Sequence, residues 1–220
     1  MVTLILSIIP LALGAAISPV LFGIEILALT SPSRVRTRAW FVVLGAAGVL
    51  AAFCVIGLLV GHALPHHRPH HKIDGAVDLI AAGLLGVLAA RTLRSSRGAT
   101  PKPTILDRLQ GASTATFLGA GAIGMITNLS TLVLFIPAFR MITKSSAGTA
   151  AEVVAFAVLL GITLLPVIAP ALLVTLLGDR ANGVLGRMNR FMTGHSAQIT
   201  VGIEVVFALL LLAKGISSLV

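Results

Sequence analysis

The stretch AISPVLF, at residues 16–22, decides the fold of this chain together with its counterpart MITNLST at residues 125–131. Each stretch lies inside a long apolar run. Pro19 has no backbone N–H and clashes with the preceding turn, so a helix must bend or break there. Thr127 and Asn128 place hydrogen-bonding groups where lipid offers no partner. A broken, polar-lined segment that recurs in both halves of a chain is typical of the binding site of a transporter.

The composition indicates an integral membrane protein. Hydrophobic residues make up 57% of the 220 residues and charged residues 10%, which is more apolar surface than a soluble chain of this length can bury. A hydrocarbon core about 30 Å thick needs about 20 residues per helix. We therefore predict an all-α fold with six transmembrane helices, the third being short because Asp78 and Arg91 interrupt it. The predicted spans are Leu4–Leu29, Ala39–Val60, Gly75–Ala90, Ala112–Phe139, Val153–Leu177 and Ile199–Ala213.

The basic residues are distributed unequally between the two sides of the predicted spans. Eleven fall in the odd-numbered connections, namely Arg34, Arg36, Arg38, Arg91, Arg94, Arg97, Lys102, Arg108, Arg180, Arg187 and Arg190, and five fall on the other side. Cytoplasmic loops carry the excess of Lys and Arg. We therefore expect a protein of the cytoplasmic (inner) membrane with the odd-numbered connections inside and both termini outside. Basic residues interleaved with membrane spans also argue against a nucleic-acid partner.

The number of spans predicts how the chain is organised. Three helices in each half require the second half to be inverted relative to the first. We predict a first three-helix repeat at residues 1–93, a cytoplasmic linker at 94–111 that is rich in Ser, Gly and Pro, and a second repeat at 112–220. Near the end, Asn182–Met192 has apolar residues close to helical spacing. This pattern is compatible with an interfacial helix on the cytoplasmic leaflet or with an ordinary polar connector.

Acidic residues within the spans are candidates for a role in transport. An ionisable residue inside the membrane is costly and often functional. Glu25 lies seven residues after Ser18, which would place both on one helix face, and Glu204 lies in the last span. Proton coupling is one role open to them, whereas Glu25 could instead reach interfacial water. Asp78 lies about one turn inside the outer face and could pair with a basic group there.

Two prolines in the fifth span allow two interpretations. Pro166 and Pro170 are four residues apart and free several carbonyl groups of the preceding turn. They could form an unwound gate or a static kink.

Histidines form a rival signal in the second connection. His62, His66, His67, His70 and His71 are interspersed with two prolines, and imidazole suits zinc, nickel or copper. The spans contain no set of histidines or carboxylates that could pass a metal on, so we interpret His62–His71 as a solvated loop and predict no metal site. Cys54 is the single cysteine of the chain, and we interpret it as an apolar packing residue.

Several short motifs together carry a resemblance that covers nearly the whole chain. They are Ser18-Pro19, Leu44-Gly45, Leu118-Gly119, Thr127-Asn128, Pro137, LGRMNRFM at residues 185–192 and Lys214-Gly215. In these the chain resembles the lysine-exporter superfamily, and within it the small glycopeptidolipid- or sulfolipid-addressing proteins of mycobacteria. Many members of the superfamily carry Asn-Pro-Lys where this chain has Asn128-Leu129-Ser130, so a role that needs a lysine in the pocket is not expected here.

The resemblance implies assisted export of a lipid or glycolipid to the cell envelope. The alternatives are a proton-coupled secondary exporter of a small solute, such as an amino acid or a metal cation, and a non-transporting scaffold for export machinery. No nucleotide-binding loop is present, so we expect no enzymatic activity and no cofactor, with energy from an ion gradient or a partner. The expected partners are the lipid, the membrane, a larger lipid exporter and a second copy of the chain. The candidate substrate-binding or transport residues are Ser18, Pro19, Glu25, Thr127, Asn128, Pro137, Pro166, Pro170 and Glu204.

Overall fold

A computed structural model describes residues 2–30, 34–63, 71–96, 112–145 and 148–218. These residues are helical apart from short caps and turns, and no strand occurs among them. The helices are α1 (Val2–Ala16), α2 (Pro19–Thr30), α3 (Val35–Ala63), α4 (His71–Ser96), α5 (Thr114–Thr127), α6 (Leu129–Thr143), α7 (Thr149–Leu177) and α8 (Asn182–Ser217), with a 3₁₀ turn at Gly178–Ala181 between the last two. Most of the predicted linker and of the His62–His71 loop lies outside the described residues.

The helices provide four to six candidate membrane spans. α3, α4, α7 and α8 are each long and apolar enough to cross a bilayer. The other candidates are two bent pairs, α1 with α2 and α5 with α6, which bend by 65° and 70°. The sequence-based prediction of an all-helical membrane protein is therefore confirmed, with both predicted breaks present.

The first break lies between Ala16 and Pro19. Pro19 is the first residue of α2. The N–H of a residue at this position has no acceptor within the helix, so a proline there costs no hydrogen bond. The Ser18 hydroxyl accepts a hydrogen bond from the backbone N–H of Leu21 at 3.3 Å. It therefore caps one of the orphan donors at the start of the new helix.

The second break is centred on Asn128, which ends α5 and caps α6. Its Oδ1 accepts from the backbone N–H of Thr131 at 3.5 Å, and its Nδ2 donates to the Thr131 hydroxyl. That hydroxyl in turn donates to the carbonyl of Ala15 at 2.7 Å. Ala15 lies in the last turn of α1, where carbonyl groups have no N–H donor within the helix. The Thr131 hydroxyl supplies the missing donor. The two breaks are thus joined by one buried hydrogen bond.

The third span is longer than predicted. α4 covers His71–Ser96 and is interrupted neither at Asp78 nor at Arg91. Lys214 of α8 pairs with the Asp78 carboxylate at 3.1 Å. Asp78 thus pairs with a basic group, as anticipated. Because the pair joins the start of α4 to the end of α8, the two helices are antiparallel.

The interpretation of Asn182–Met192 as an ordinary connector is wrong, because these residues are helical, and their place at the membrane interface stays a prediction. These residues form the first turns of the uninterrupted 36-residue helix α8. Proline is absent from Asn182–Ser217, so nothing there removes a backbone donor or forces a break. α7 is likewise continuous through Pro166 and Pro170.

Small residues allow α3 and α5 to approach closely. A Cβ at Gly45 would overlap the backbone oxygen of Leu118, and one at Gly121 would overlap that of Val42. Backbone contact at glycine is a common way for membrane helices to pack, since lipid supplies no hydrophobic force between them.

One end of the bundle gathers three helix termini. Trp40 Nε1 donates to the hydroxyl of Thr175 at 3.2 Å, which places the start of α3 beside the end of α7. Arg38 Nη2 donates to the carbonyl of Ala112 at 2.9 Å, which adds the start of α5. The chain then continues from α7 into the start of α8. We call this the arginine end, because Arg34, Arg36, Arg38, Arg180 and Arg187 lie there.

Candidate functional site

A cavity of about 450 Å³ lies where the two breaks meet α4 and α8. Its volume falls within the range of about 300–1,000 Å³ that is usual for small-molecule sites. Both breaks contribute polar side chains to its wall, and apolar residues fill the spaces between them. The described lining residues are Ile17, Ser18, Val20, Leu88, Thr92, Thr127, Asn128, Leu129, Ser130, Ser196, Ala197, Thr200 and Glu204.

The cavity brings together four of the residues selected from the sequence. Ser18 comes from the first break, Thr127 and Asn128 come from the second, and Glu204 comes from the last helix. Pro19 directly follows Ser18 and begins α2. The remaining candidates are not among the described residues of the wall.

Glu204 is the buried acidic group of this cavity. Its side chain is only 2% exposed. Its Oε1 accepts a short hydrogen bond of 2.5 Å from the hydroxyl of Ser130. Its Oε2 is buried and has no hydrogen-bond partner among the described residues. Ser130 was not selected from the sequence, although its place two residues after Asn128 was the signal that could have found it.

Hydroxyl groups line the cavity on several sides. Ser196 and Thr200 stand two turns and one turn before Glu204, so the three occupy one face of α8. Thr127 donates its hydroxyl proton to the carbonyl of Ile123 at 2.8 Å, which leaves its oxygen able to accept. The capping hydroxyl of Ser18 accepts from Leu21, which leaves its proton to donate. The wall therefore offers both donors and acceptors.

The cavity lies toward the arginine end. Leu88 and Thr92 come from the last third of α4, and Ser196 comes from the first half of α8. The Asp78–Lys214 ion pair joins the same two helices toward their opposite ends. The polar wall is therefore asymmetric along the bundle axis.

Glu25 occupies a second buried position, away from the cavity wall. Its side chain has no exposed surface, and neither carboxyl oxygen has a hydrogen-bond partner among the described residues. It is therefore buried rather than extended toward interfacial water. Ser18 caps the start of α2, because its carbonyl accepts from the backbone N–H of Phe22 at 3.0 Å, so Ser18 and Glu25 lie on the same side of the break. Their shared helix face stays a prediction.

The remaining prolines lie inside continuous helices. Pro137 is buried in α6, and Pro166 and Pro170 lie in α7, where Pro170 is buried and Pro166 is partly buried. No unwound turn surrounds either α7 proline, so their local structure is helical rather than open.

Metal coordination finds no support in the described part of the chain. No group of three or more His, Cys, Asp or Glu side chains there could hold an ion. The His62–His71 loop is outside those residues, apart from the helix ends at its margins, whose side chains are not described. Cys54 is buried in α3, in keeping with a packing role.

The fold and the cavity define the class of this protein as a small polytopic α-helical membrane protein with paired helix breaks beside a cavity that carries polar side chains. The chain belongs to the family of Sap, the sulfolipid-1-addressing protein, whose family model matches residues 8–217. No curated protein and no solved structure shows a significant match. The match confirms the resemblance to lipid-addressing proteins, and the family name indicates a role in lipid addressing.

Proposed function

We propose that this protein assists the export of a lipid or glycolipid across the cytoplasmic membrane to the cell envelope. The observation that carries the proposal is the cavity to which both helix breaks contribute polar side chains. Membership of a lipid-addressing family supplies the class of substrate. Irregular backbone at membrane depth is tolerated where it lines a cavity, and in transporters such breaks bind the substrate.

The proposed architecture is two inverted three-helix repeats with six spans, as in the lysine-exporter superfamily. In such a repeat α1 corresponds to α5, α2 to α6 and α3 to α7. Two pairs of equivalent contacts support it. The contact of α1 with α6 matches that of α5 with α2, and the contact of α3 with α5 matches that of α7 with α1. The Trp40–Thr175 hydrogen bond also favours six spans. If α5 and α6 formed a re-entrant hairpin, α7 would end on the side opposite to the start of α3.

The proposed orientation places the arginine end in the cytoplasm and both termini outside. The described basic residues of the odd-numbered connections are all arginines, and an excess of positive charge marks cytoplasmic loops. In this orientation the cavity belongs to the cytoplasmic half of the membrane, where a newly made lipid would enter.

The size of the cavity suggests how a lipid is handled. About 450 Å³ holds a headgroup but not long acyl chains. We propose that the headgroup enters the cavity while the chains remain in the bilayer, and that an ion gradient or a larger partner exporter supplies energy. A resident cofactor and an enzymatic step play no part in the proposal.

The deciding experiment is envelope lipid analysis of a deletion strain that carries variants of this chain. Ala197→Phe fills the cavity, because Ala197 lines it. Ala90→Phe makes the same change at an exposed position of α4 and is the matched control. We expect surface lipid to be lost with Ala197→Phe and retained with Ala90→Phe at equal amounts of folded protein. Wild-type lipid display with Ala197→Phe would contradict the proposal.

A proton-coupled exporter of a small solute is the second candidate. The buried carboxyl groups of Glu25 and Glu204 favour it, since intramembrane acidic residues serve as proton relays in transporters. Solute counterflow in liposomes tests this function. Counterflow of an amino acid or cation together with unchanged envelope lipids in the deletion strain would select it over lipid export.

A further inference from the structure

We propose that the lipid enters this protein sideways from the bilayer, through a slot between α4 and α5, and that its acyl chains lie in this slot while the headgroup occupies the cavity. This inference rests on the proposed function and adds the route of the lipid and the surface that holds its chains. It is carried by the packing of α4 and α5, by the exposure of Val20 on an enclosed helix, and by a closed contact between Gly14 and Phe207 on the other side of the breaks.

The packing of the helices leaves the cavity open on one side. α4 packs against α8 and α6, and α5 packs against α3 and α2. No comparable packing joins α4 to α5 in the part of the chain that the structure describes, although both helices contribute to the cavity wall. A slot therefore separates Leu88 and Thr92 of α4 from Thr127 of α5. In the proposed six-span architecture α6 continues away from the arginine end, so its packing against α4 closes the slot on that side.

Val20 shows that the slot reaches the interior of the bundle. α2 packs against four helices, namely α3, α5, α7 and α8, and its side chains from Leu21 to Leu29 are buried or half-buried. Val20 is instead 57% exposed, and it lines the cavity. An exposed valine on an enclosed helix requires an opening among the surrounding helices, and the slot is that opening.

The slot has the apolar surface that an acyl chain requires. Val20 forms its back, Leu88 and Ile123 lie on its two sides, and Leu129 lies at the end nearer the second break. Ile123 is 54% exposed and lies one turn before Thr127 on the same face of α5. The Thr127 hydroxyl donates to the carbonyl of Ile123 at 2.8 Å, so its proton is not left unpaired beside an apolar chain.

The slot explains how a small cavity can serve a large lipid. Lipid tails are as apolar as leucine, so a chain that moves from the bilayer into the slot changes its free energy little. A chain drawn into a polar cavity would instead lose apolar contacts with every methylene group. The headgroup can therefore leave its leaflet and enter the cavity of about 450 Å³ while the chains keep apolar surroundings.

The corresponding place on the other side of the breaks is closed. In the proposed inverted repeats α1 corresponds to α5 and α8 to α4, so the counterpart of the slot lies between α1 and α8. A Cβ at Gly14 of α1 would overlap the ring of Phe207 of α8, which shows that this ring fills the angle between the two helices. The lipid is therefore admitted from the half of the bilayer at the arginine end.

The test measures whether acyl chains reach Val20. Trp40→Phe removes the only native tryptophan, and Val20→Trp then places one reporter at the back of the slot. Ile56→Trp, at a position of α3 that is 59% exposed, is the control for full contact with lipid, and Phe22→Trp, at a buried position of α2, is the control for none. Each protein is held as a single copy in nanodiscs of phosphatidylcholine that is brominated on its acyl chains, because bromine quenches tryptophan fluorescence on contact.

We expect Val20→Trp to lose nearly as much fluorescence as Ile56→Trp and far more than Phe22→Trp. Quenching of Val20→Trp no greater than that of Phe22→Trp would overturn the inference. Quenching by water-soluble acrylamide and not by brominated lipid would also overturn it, since water rather than acyl chains would then fill the slot. Should Val20→Trp fail to fold, Leu129→Trp reports on the same slot.

A second arm narrows the slot without filling the cavity. Ile123→Trp adds bulk on the α5 side of the slot, and Ile56→Trp makes the same change on α3. At equal amounts of folded protein we expect surface lipid to fall with Ile123→Trp and to stay at the wild-type level with Ile56→Trp. Full lipid display with Ile123→Trp would reject the slot as the route. The proposed function is decided separately, because a loss of surface lipid with Ala197→Phe but not with Ile123→Trp would retain lipid export and remove only the slot.

Discussion

The hydroxyl of Thr131 donates a hydrogen bond of 2.7 Å to the carbonyl of Ala15 and so joins the two broken helix pairs. The two residues are 116 positions apart, and Thr131 is 1% exposed. The same hydroxyl accepts from the amide of Asn128, the residue that caps α6. A side chain of one break therefore satisfies the backbone of the other, which holds the walls of the cavity together.

Thr131→Val should lower stability while keeping the shape of the side chain. The change leaves the Ala15 carbonyl and one Asn128 donor unpaired in a dry environment. We expect a loss of about 0.6–2 kcal/mol in the free energy of unfolding, the range found for side-chain hydrogen bonds in membranes. Denaturant titration followed by the fluorescence of Trp40, the single tryptophan, measures it.

Thr143→Val is the matched control for this change. The Thr143 hydroxyl bonds only to carbonyls of its own helix, at 3.3 Å, so its loss should have a smaller effect. Equal losses in the two variants would mean that the Thr131–Ala15 bond adds nothing beyond a local threonine effect.

Gly45 should tolerate substitution far less well than Gly48, although both lie in α3. A methyl group at Gly45 would collide with the Leu118 carbonyl, whereas nothing lies within 4 Å of the corresponding position at Gly48. We expect Gly45→Ala to cost about 1–3 kcal/mol by overpacking. Gly48→Ala should be neutral or gain up to about 1 kcal/mol from helix propensity.

The yield of monodisperse protein and its unfolding midpoint measure both changes. A Gly45→Ala protein as stable as Gly48→Ala would contradict the close backbone packing of α3 against α5.

Glu25→Met should stabilise the fold and impair transport. A buried carboxyl group without a partner costs about 1–3 kcal/mol, and neither oxygen of Glu25 has one among the described residues. Such a cost is retained in natural membrane proteins mainly where function requires it. Glu152→Met should instead be neutral or destabilising, because an acidic residue favours the first turn of a helix.

Unfolding midpoints and lipid display per folded molecule separate the two effects. A lower midpoint for Glu25→Met would mean that its carboxyl has a stabilising partner, and wild-type lipid display would remove it from the transport residues.

The helical fold with its two breaks could be predicted from the sequence, as could four of the eight polar residues that line the cavity. Apolar run length predicted the spans, and Pro19 and Asn128 predicted the breaks, because these signals are local. The partnership of Ser130 with Glu204 could not be predicted, since it depends on how the tertiary fold places the start of α6 beside the middle of α8. The burial of Glu25 could not be predicted either, since its place near the end of an apolar run is equally compatible with contact with interfacial water.

Helix length was harder to predict than helix position. α4 continues past its predicted end through Arg91 and Arg94, because a charged residue does not by itself end a helix. α8 also includes Asn182–Met192, which could equally have been a connector, because polar residues alone do not end a helix when no proline follows. Both differences came from treating a charged or polar residue as the boundary of a helix.

The topology can be tested so that six crossing spans are distinguished from two re-entrant hairpins. Single cysteines at Thr3, Thr37 and Ser217, each at an exposed position of the bundle and each in a Cys54→Ala background, are treated with an impermeant thiol reagent in intact cells. With six spans, Thr3→Cys and Ser217→Cys react, and Thr37→Cys reacts only after the cells are opened. If α1 and α2 formed a re-entrant hairpin, Thr3 and Thr37 would lie on the same side and give the same result.

We expect the six-span pattern for two reasons. α1 packs against α6 while α2 packs against α5, so the two halves of the first pair occupy opposite halves of the bundle. The arginines that follow α7 would also move to the outer side if only four helices crossed, against the bias of positive charge toward the cytoplasm. Reaction of Thr37→Cys in intact cells would mean that the protein has the opposite orientation. The same result for Thr3→Cys and Thr37→Cys would mean that fewer than six spans cross the membrane.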